Sequence, residues 1–313
     1  MKDLNIHTRA AVILAGGDGT RLSELTRRIT GSHVPKQFCA LLGDVTLLQM
    51  TRNRVARSIP PELTMFALNR EHAPFYSPLL TDVAPRNLVQ QPKNNGTAPA
   101  ILHSLLRLVE AAPDASVLVM PSDHHVADEA TFIDHVNIAF ATVEERSELT
   151  VLLGIVPDAP ETAYGWIEPG KILEGTKSEI REVRRFWEKP TREIAIDLMA
   201  RGCLWNSFVI VARLSTLLEL FLAGVPRLHS LFSMIRPVLG TQFEEDAVRN
   251  LYRDLQPIDF SRQILEAMPS SLAVLPVHDV GWSDLGEPHR VRKVLASLGG
   301  YPRWAAAWEK QVA

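Results

Sequence analysis

The sequence RAAVILAGGDGTRL, residues 9–22, decides how the chain is expected to fold. Its first half, Arg9 to Ala15, is a nearly continuous apolar run of the kind that forms a buried parallel strand. Its second half, Gly16 to Leu22, contains three glycines, whose bare backbone lets N–H groups approach a phosphate closely. Arg21 adds a charged fork that suits phosphate oxygens. The stretch therefore predicts a first strand that ends in a phosphate-binding turn.

The glycine turn departs from two common nucleotide-binding motifs. A Walker loop ends in Gly-Lys-Ser/Thr, whereas here Thr20 and Arg21 follow the last glycine. The dinucleotide fingerprint also fails, because Leu22 stands where the third glycine belongs. The string Gly-Gly-Asp-Gly-Thr is similar to a signature of lipid and NAD kinases, but those families place it well inside the chain. A tight turn without a ligand is the bland alternative.

Apolar runs and helical patterns alternate along the chain. Over about 150 residues this alternation predicts an α/β fold, with a doubly wound, mainly parallel, Rossmann-like sheet and helices on both faces. Thr97 is expected to cap the helix that follows it. The predicted strands are residues 9–15, 64–68, 88–90, 117–120, 150–155, 164–169, 179–187, 204–211 and 272–276. The predicted helices are residues 98–112, 132–143, one helix between 187 and 204, much of 213–268, and 287–298.

The chain is expected to be one catalytic domain with a short appendage. The domain covers residues 1–286 and includes a helical C-terminal elaboration at 213–268, and a short helical tail covers 287–313. No internal repeat or low-complexity linker marks another boundary. The sequence shows no hexapeptide periodicity, so we expect no β-helix.

Composition excludes several classes of function. Lys plus Arg number 33 and Asp plus Glu 36, so the formal charge of −3 provides no global basic field for nucleic acid. Cys39 and Cys203 are isolated, which argues against a disulfide framework or a zinc site. No apolar run is long enough to span a membrane. We expect a soluble, cytoplasmic protein. The composition is compatible with either a monomer or a homodimer.

A second motif, Pro35-Lys36-Gln37-Phe38, follows the glycine turn within twenty residues. The pair Gly-Gly-x-Gly-Thr-Arg-Leu and Pro-Lys-Gln-Phe, in this order and spacing, resembles the sugar-1-phosphate nucleotidyltransferases. Within that family it looks most like the mannose-1-phosphate guanylyltransferase branch, catalytic domain only. Further segments that match family motifs follow in family order, at residues 91–100, 117–124, 164–168, 186–190, 205–207 and 280–284.

The resemblance implies a reaction and a role for each matching residue. The family joins a hexose 1-phosphate to the α-phosphorus of a nucleoside triphosphate and releases pyrophosphate, with Mg²⁺. The implied catalytic residues are Arg21, Lys36, Asp123 and Asp284, the two aspartates being the metal ligands. The implied nucleotide-binding residues are Ala15, Gly16, Gly17, Gly19, Thr20, Arg21, Gln91, Gly96 and Thr97. The implied sugar-phosphate-binding residues are Tyr164, Gly165, Glu188, Lys189 and Asn206.

The implied chemistry needs cations more than it needs a base. A sugar phosphate oxygen is already an anion near neutral pH, so no proton must be removed from the nucleophile. Two unit charges about 4 Å apart repel by about 4 kcal/mol at an effective dielectric constant of about 20. A site that unites two polyanions must therefore supply positive charge and geometry. Asp123 follows a predicted parallel strand, at the edge where ligands bind in open α/β sheets.

The sequence departs from the family at two places. Glu24 replaces a usual proline, and Asn95-Gly96 stands where guanylyltransferases commonly carry Arg and then Asn or Asp. A glycine there is similar to the uridylyl- and thymidylyl-transferring relatives, in which a backbone amide reads the base. GTP with mannose 1-phosphate is the favoured substrate pair, and UTP or dTTP with another hexose 1-phosphate is the alternative. A sensor that binds without turnover is a second alternative, against which the intact charged set argues.

Two histidines, His124 and His125, adjoin the predicted metal ligand Asp123. No third ligand lies at a suitable spacing for a transition-metal site, and we interpret both as loop residues.

Overall fold

A computed structural model gives the fold and describes residues 8–176, 178–299, 302, 304 and 305. The strands in these ranges are Arg9–Leu14 (β1), Thr64–Asn69 (β2), Leu88–Gln91 (β3), Ser116–Pro121 (β4), Thr150–Ile155 (β5), Gly165–Ile172 (β6), Arg181–Glu188 (β7), Leu204–Arg213 (β8) and Leu272–Val277 (β9). The helices are Ser23–Thr30 (α1), Leu47–Val55 (α2), Ala73–Tyr76 (α3), Thr97–Ala111 (α4), Glu129–Glu145 (α5), Arg192–Ala200 (α6), Leu214–Gly224 (α7), Pro226–Ile235 (α8), Glu244–Arg253 (α9) and Pro288–Ser297 (α10).

The strands of the described chain form one sheet in the order β3-β2-β1-β4-β8-β5-β9-β7-β6. Strand β1 pairs in parallel with β2 and β4, and β2 pairs in parallel with β3. These strands and the helices between them confirm the α/β fold. Their carboxyl ends meet at one edge of the sheet, where the glycine turn follows β1.

The prediction of a mainly parallel sheet is wrong for the second half of the chain. Strand β8 lies between β4 and β5 and is antiparallel to both. Strand β6 is antiparallel to β7 and β8, and β7 is antiparallel to β9, so only β5 and β9 pair in parallel there. A fully buried antiparallel strand is as continuously apolar as a parallel one, and the apolar run of β8 therefore gave no sign of its direction.

Both faces of the sheet are covered. Successive residues of a strand point to opposite faces, so Val12 joins the buried cluster under α4 and Ile13 joins the one under α5. The first cluster extends into α7, α8 and α9 through Phe221, Phe232 and Tyr252. This double burial explains why β1 tolerates no polar residue between Ala10 and Leu14.

Helix α4 begins one residue earlier than expected, and Thr97 is not its cap. Gly96 precedes the first turn, with φ of 89° and no side chain to cap it. The Thr97 hydroxyl instead accepts a hydrogen bond from the backbone N–H of Phe260, at 2.8 Å. The prediction failed because a distant segment, which local sequence does not reveal, occupies the threonine side chain.

Helix α10 lies within the predicted C-terminal tail and packs onto the rest of the molecule. Its residues Val291 and Leu295 share a buried cluster with Leu22 and Leu285. The predicted tail also includes 306–313, which lie outside the described residues. The domain boundary at residue 286 stays a prediction. None of the helices in the described ranges is both long and apolar enough to cross a membrane.

One carboxylate, Glu244, joins α9 to α4. Its Oε1 lies 2.9 Å from Nε2 of His103, and its Oε2 accepts a hydrogen bond from the N–H of Gly240 at 2.7 Å and contacts Arg107. Burial raises the pKa of Glu244, but these hydrogen bonds and the charges of His103 and Arg107 outweigh burial and lower it. A carboxyl whose pKa is lower in the folded state stabilises the fold above its unfolded pKa, about 4.3, and this contribution is lost as the pH falls through the folded value.

The variant Glu244→Gln should therefore lower the free energy of unfolding at pH 7 by about 2 kcal/mol, because His103 and Arg107 lose the negative charge that they contact. The difference between wild type and variant should shrink as the pH falls below about 4. Urea unfolding from pH 7 to pH 3 measures it, with the exposed Glu110→Gln as control. A difference independent of pH would contradict this role.

Candidate active site

A cavity of about 420 Å³ opens at the edge where β1, β2, β3 and β4 end. It brings together predicted site residues from three separate segments. Its lining includes Gly16, Gly17, Gln91, Gly96, Thr97 and Asp123. It also includes Asp259, which sequence reasoning did not single out.

The glycine turn and the Pro-Lys-Gln-Phe motif form one structural unit. The Gln37 side-chain amide donates to the carbonyl oxygens of Ala15 at 3.0 Å and Gly17 at 2.7 Å. Gly19 has φ of 62°, and a Cβ atom there would lie 2.9 Å from the backbone nitrogen of Lys36. Only glycine fits this close approach and this left-handed backbone. Thr20 and Arg21 continue into a single 3₁₀ turn.

The ammonium group of Lys36 connects the two predicted metal ligands. Its Nζ lies 3.1 Å from Oδ2 of Asp123 and donates to the backbone carbonyl of Asp284 at 2.5 Å. Lys36 is only 7% exposed, and burying an ammonium group requires such partners. The lysine thus brings a residue after β4 and a residue after β9 to one point.

The Asp284 carboxylate is held by hydrogen bonds to one of its oxygens. Oδ1 accepts from the Tyr164 hydroxyl at 2.9 Å, from the Gly286 N–H at 2.9 Å and from Arg290 at 2.8 Å. Oδ2 lies 4.0 Å from the guanidinium of Arg21. Burial would raise the pKa of Asp284, but the charges of Lys36 and Arg290 outweigh burial and lower it to about 2. The group is therefore ionised at neutral pH.

Arg290 is a site residue that sequence reasoning missed. Its guanidinium bonds to Asp284 and to Oε2 of Glu161 at 2.6 Å, and it lies 4.4 Å from the ring centroid of Tyr164. It is buried although it lies on a helix with a basic surface. A charged residue beside Val291 on the core face of α10 is the signal that could have revealed it.

A short backbone bridge reinforces the meeting of the two aspartates. His125 and Ser283 exchange two hydrogen bonds, with N···O distances of 2.8 and 3.0 Å. His124 packs edge-on against Trp282, and its Nε2 lies 3.7 Å from Oδ1 of Asp123. Burial lowers the pKa of His124 to about 4, so its ring is neutral at pH 7.

The predicted sugar-phosphate residues form a neighbouring group. Gly165 pairs with Glu188 across β6 and β7, and a Cβ atom on Gly165 would lie 3.1 Å from Oε2 of Glu188. The exposed Lys189 lies 2.8 Å from Oε1 of Glu188. Asn206 is buried on β8, and its Oδ1 accepts the Phe208 N–H at 3.0 Å. Tyr164 connects this group to Asp284, although none of these side chains lines the 420 Å³ cavity.

The oxygen donors at this edge fit a hard divalent cation. Asp123 faces the cavity, and Oδ2 of Asp284 accepts none of the hydrogen bonds that hold its partner oxygen. No group of three or more His, Cys, Asp or Glu side chains in the described ranges could hold a metal alone. Mg²⁺ commonly takes one or two carboxylates and completes its shell with substrate phosphates and water. Asp123 and Asp284 match that pattern.

Comparison with protein families agrees with this arrangement. The model described as "Nucleotidyl transferase" matches residues 10–298. The chain belongs to this family. The match covers both aspartates, Lys36 and the glycine turn.

Three individual proteins are similar to this chain over most of its length. The xanthan biosynthesis protein XanB of Xanthomonas campestris pv. campestris (strain B100) is 34% identical over 88% of this chain and 57% of its own length. A mannose-1-phosphate guanylyltransferase of Escherichia coli (strain K12) is 31% identical over 95% of this chain and 59% of its own length. The chain thus spans less than two thirds of these relatives. A solved structure from Thermus thermophilus, described as a mannose-1-phosphate geranyltransferase, has a TM-score of 0.76 and 29% identity, covering 89% of this chain and 76% of its own.

Replacing Arg290 should disturb the orientation of Asp284. Arg290→Met leaves Asp284 and Glu161 without their shared cation, so we expect kcat for nucleotidyl transfer to fall at least about tenfold. Arg290→Lys should be intermediate, since it keeps the charge without the planar fork. Steady-state kinetics measure the effect, with Arg292→Met, an exposed residue of the same helix, as control. An Arg290→Met enzyme with unchanged kcat would show that the guanidinium does not serve the site.

Proposed function

We propose that this chain transfers a nucleoside monophosphate from a nucleoside triphosphate to a hexose 1-phosphate, with release of pyrophosphate. The favoured substrates are GTP and mannose 1-phosphate, and the product is then GDP-mannose. One observation carries the proposal. The buried ammonium of Lys36 bonds to the carboxylate of Asp123 and to the backbone carbonyl of Asp284, and Asp123 lines a cavity that begins at a glycine turn.

The residues would divide into one group that binds the nucleoside triphosphate and one that binds the sugar phosphate. The amides of the glycine turn, with Arg21 and Lys36, would hold the triphosphate and offset its charge. Lys189 would bind the phosphate of the sugar, and Glu188 and Asn206 would accept and donate hydrogen bonds to sugar hydroxyls. Tyr164 stays protonated, because burial raises its pKa and the charge of Asp284 raises it further, so it serves as a donor that orients Asp284.

The proposed reaction requires two negatively charged substrates to bind next to each other. Asp123 and Asp284 would hold Mg²⁺, whose positive charge offsets the charge on the phosphate oxygens when it is bound. The attacking oxygen is an anion at neutral pH, and a general base is unnecessary. Lys36 would exchange its carboxylate partner, Asp123, which lines the cavity, for a phosphate oxygen when the substrate is bound. Geometry and positive charge therefore supply the catalysis.

The names of the relatives support the choice of substrates. Several curated relatives are described as mannose-1-phosphate guanylyltransferases, at 30 to 31% identity over most of this chain. The alternative substrates, UTP or dTTP with another hexose 1-phosphate, rest on Gly96 as a base-reading amide. In the structure the Gly96 N–H donates to Oδ1 of Asn94, at 3.1 Å. We place the protein in the cytoplasm, where nucleoside triphosphates are supplied.

Pyrophosphate release across a grid of nucleoside triphosphates and hexose 1-phosphates, with Mg²⁺, tests the proposal. A maximum at GTP with mannose 1-phosphate is expected. A maximum at UTP or dTTP would keep the reaction and overturn the base, whereas nucleotide binding without pyrophosphate release in any combination would favour a sensor.

Asp123→Asn should lower turnover at least about 100-fold, the scale of a lost transition-state charge contact. Asp128→Asn is the matched control, because Asp128 is exposed and caps α5, and asparagine caps equally well. Rates measured from limiting to saturating Mg²⁺ compare the two. A near-native rate for Asp123→Asn at limiting Mg²⁺ would remove Asp123 from the metal site.

A further inference from the structure

The turn at residues 258–260 lies against the loop at residues 95–98, which the cavity also includes in part. The N–H of Ile258 donates to the carbonyl of Asn95 at 2.9 Å, and the N–H of Ala98 donates to the carbonyl of Ile258 at 3.1 Å. The approach is so close that a Cβ atom on Gly96 would lie 2.3 Å from the Ile258 oxygen. Gly96 is therefore required by this contact, independently of any role in reading a base.

Asp259 lies between two anchored residues of this turn. Ile258 is tied to residues 95–98, and the N–H of Phe260 is tied to the Thr97 hydroxyl. Asp259 lines the 420 Å³ cavity together with Gln91 and Gly96. Its Oδ1 accepts the N–H of Arg262 at 2.9 Å, which orients the carboxylate and leaves lone pairs on both oxygens.

The lining of the cavity also carries a side-chain amide of fixed orientation, that of Gln91. The hydroxyl of the buried Tyr252 donates to Oε1 of Gln91 at 2.7 Å. This bond fixes the orientation of the amide, and Nε2 is the donor that Gln91 can offer to a ligand. That nitrogen lies beside the glycine turn, since a Cβ atom on Gly16 would approach it to 3.4 Å. Burial raises the pKa of Tyr252, so this hydroxyl keeps its proton.

The geometry points to Asp259 as the residue that selects guanine, with Gln91 as its complement. This inference rests on the proposed function and names the base that the site accepts. Guanine presents two adjacent donors, N1–H and the 2-amino group, beside one acceptor, O6. An ionised carboxylate accepts both donors, and the Gln91 amide can donate to the oxygen.

The same pair of residues disfavours the pyrimidines of the alternative substrates. Uracil and thymine each present one N–H between two carbonyl oxygens, so one oxygen would face the Asp259 carboxylate. A carboxylate has no proton to donate to that oxygen, and two acceptors in contact cost binding. The Gly96 amide, which would satisfy such an oxygen, already donates to Asn94. Selectivity therefore arises from repulsion of the wrong base as well as attraction of the right one.

The variant Asp259→Asn tests the assignment with little structural cost. Asparagine keeps an oxygen that accepts the Arg262 N–H and replaces the other acceptor by a donor. We expect kcat/KM for GTP to fall at least about 30-fold. Xanthosine triphosphate carries a carbonyl oxygen in place of the 2-amino group, so its kcat/KM relative to that of GTP should rise at least about 100-fold. The KM for mannose 1-phosphate should not change.

Asp254→Asn is the matched control. Asp254 lies five positions upstream in the same segment, is exposed, and does not line the cavity. Its variant should keep the wild-type preference among triphosphates. A second measurement needs no variant: inosine triphosphate lacks the 2-amino group, and the wild-type enzyme should use it with a kcat/KM at least about tenfold below that of GTP.

The outcomes separate this inference from the function on which it rests. If wild type prefers GTP but Asp259→Asn keeps that preference and rejects xanthosine triphosphate, Asp259 is only a helix cap and the inference is overturned. Equal use of inosine triphosphate and GTP by wild type would also overturn it. If wild type prefers UTP or dTTP, the guanine part of the proposed function fails as well.

Discussion

The site depends on one buried ammonium group, Lys36, which joins the carboxylate of Asp123 to the backbone carbonyl of Asp284 at the edge of the sheet. The guanidinium groups of Arg21 and Arg290 lie beside the Asp284 carboxylate, whereas Lys36 pairs with the Asp123 carboxylate. The lysine backbone packs closely on the glycine turn, since a Cβ atom on Gly19 would lie 2.9 Å from the backbone nitrogen of Lys36. The glycine turn, Lys36 and the two aspartate segments are therefore connected by direct contacts.

The mixed direction of the strands explains how the amino acids that we propose to bind the sugar reach this edge. Strands β1, β4, β5 and β9 end there, whereas the antiparallel β8 begins there, with Trp205 opposite Ile155. A parallel strand in the place of β8 would have carried Asn206 away from the carboxyl edge. The antiparallel strand thus brings Asn206, a proposed sugar-binding residue, to the sheet edge that carries the proposed nucleotide site. Tyr164, which precedes β6, connects the two halves through Asp284.

Sequence alone predicted the nine strands of the described chain but not the helices α1, α2 and α3, because buried apolar runs and glycine spacing are local signals. The strand at 150–155 agrees with the structure to the residue, and the helix after Gly96 is displaced by one. The direction of β8 was hidden, since burial on both faces erases alternation. Arg290, Asp259 and the true partner of Thr97 were hidden because each acts through a contact across more than 100 residues or across a loop closure. Such contacts are set by the assembled fold.

Isotopic labelling of GTP tests most directly whether the protein joins the nucleotide to the sugar phosphate. The measurement is the product in which each labelled phosphorus appears. The protein is incubated with mannose 1-phosphate, Mg²⁺ and GTP that carries radioactive phosphorus at either the α or the γ position. We expect α label to appear in the sugar nucleotide and γ label to appear in pyrophosphate. Transfer of γ label to the acceptor, with release of GDP, would make the glycine turn that of a kinase and contradict the proposed reaction.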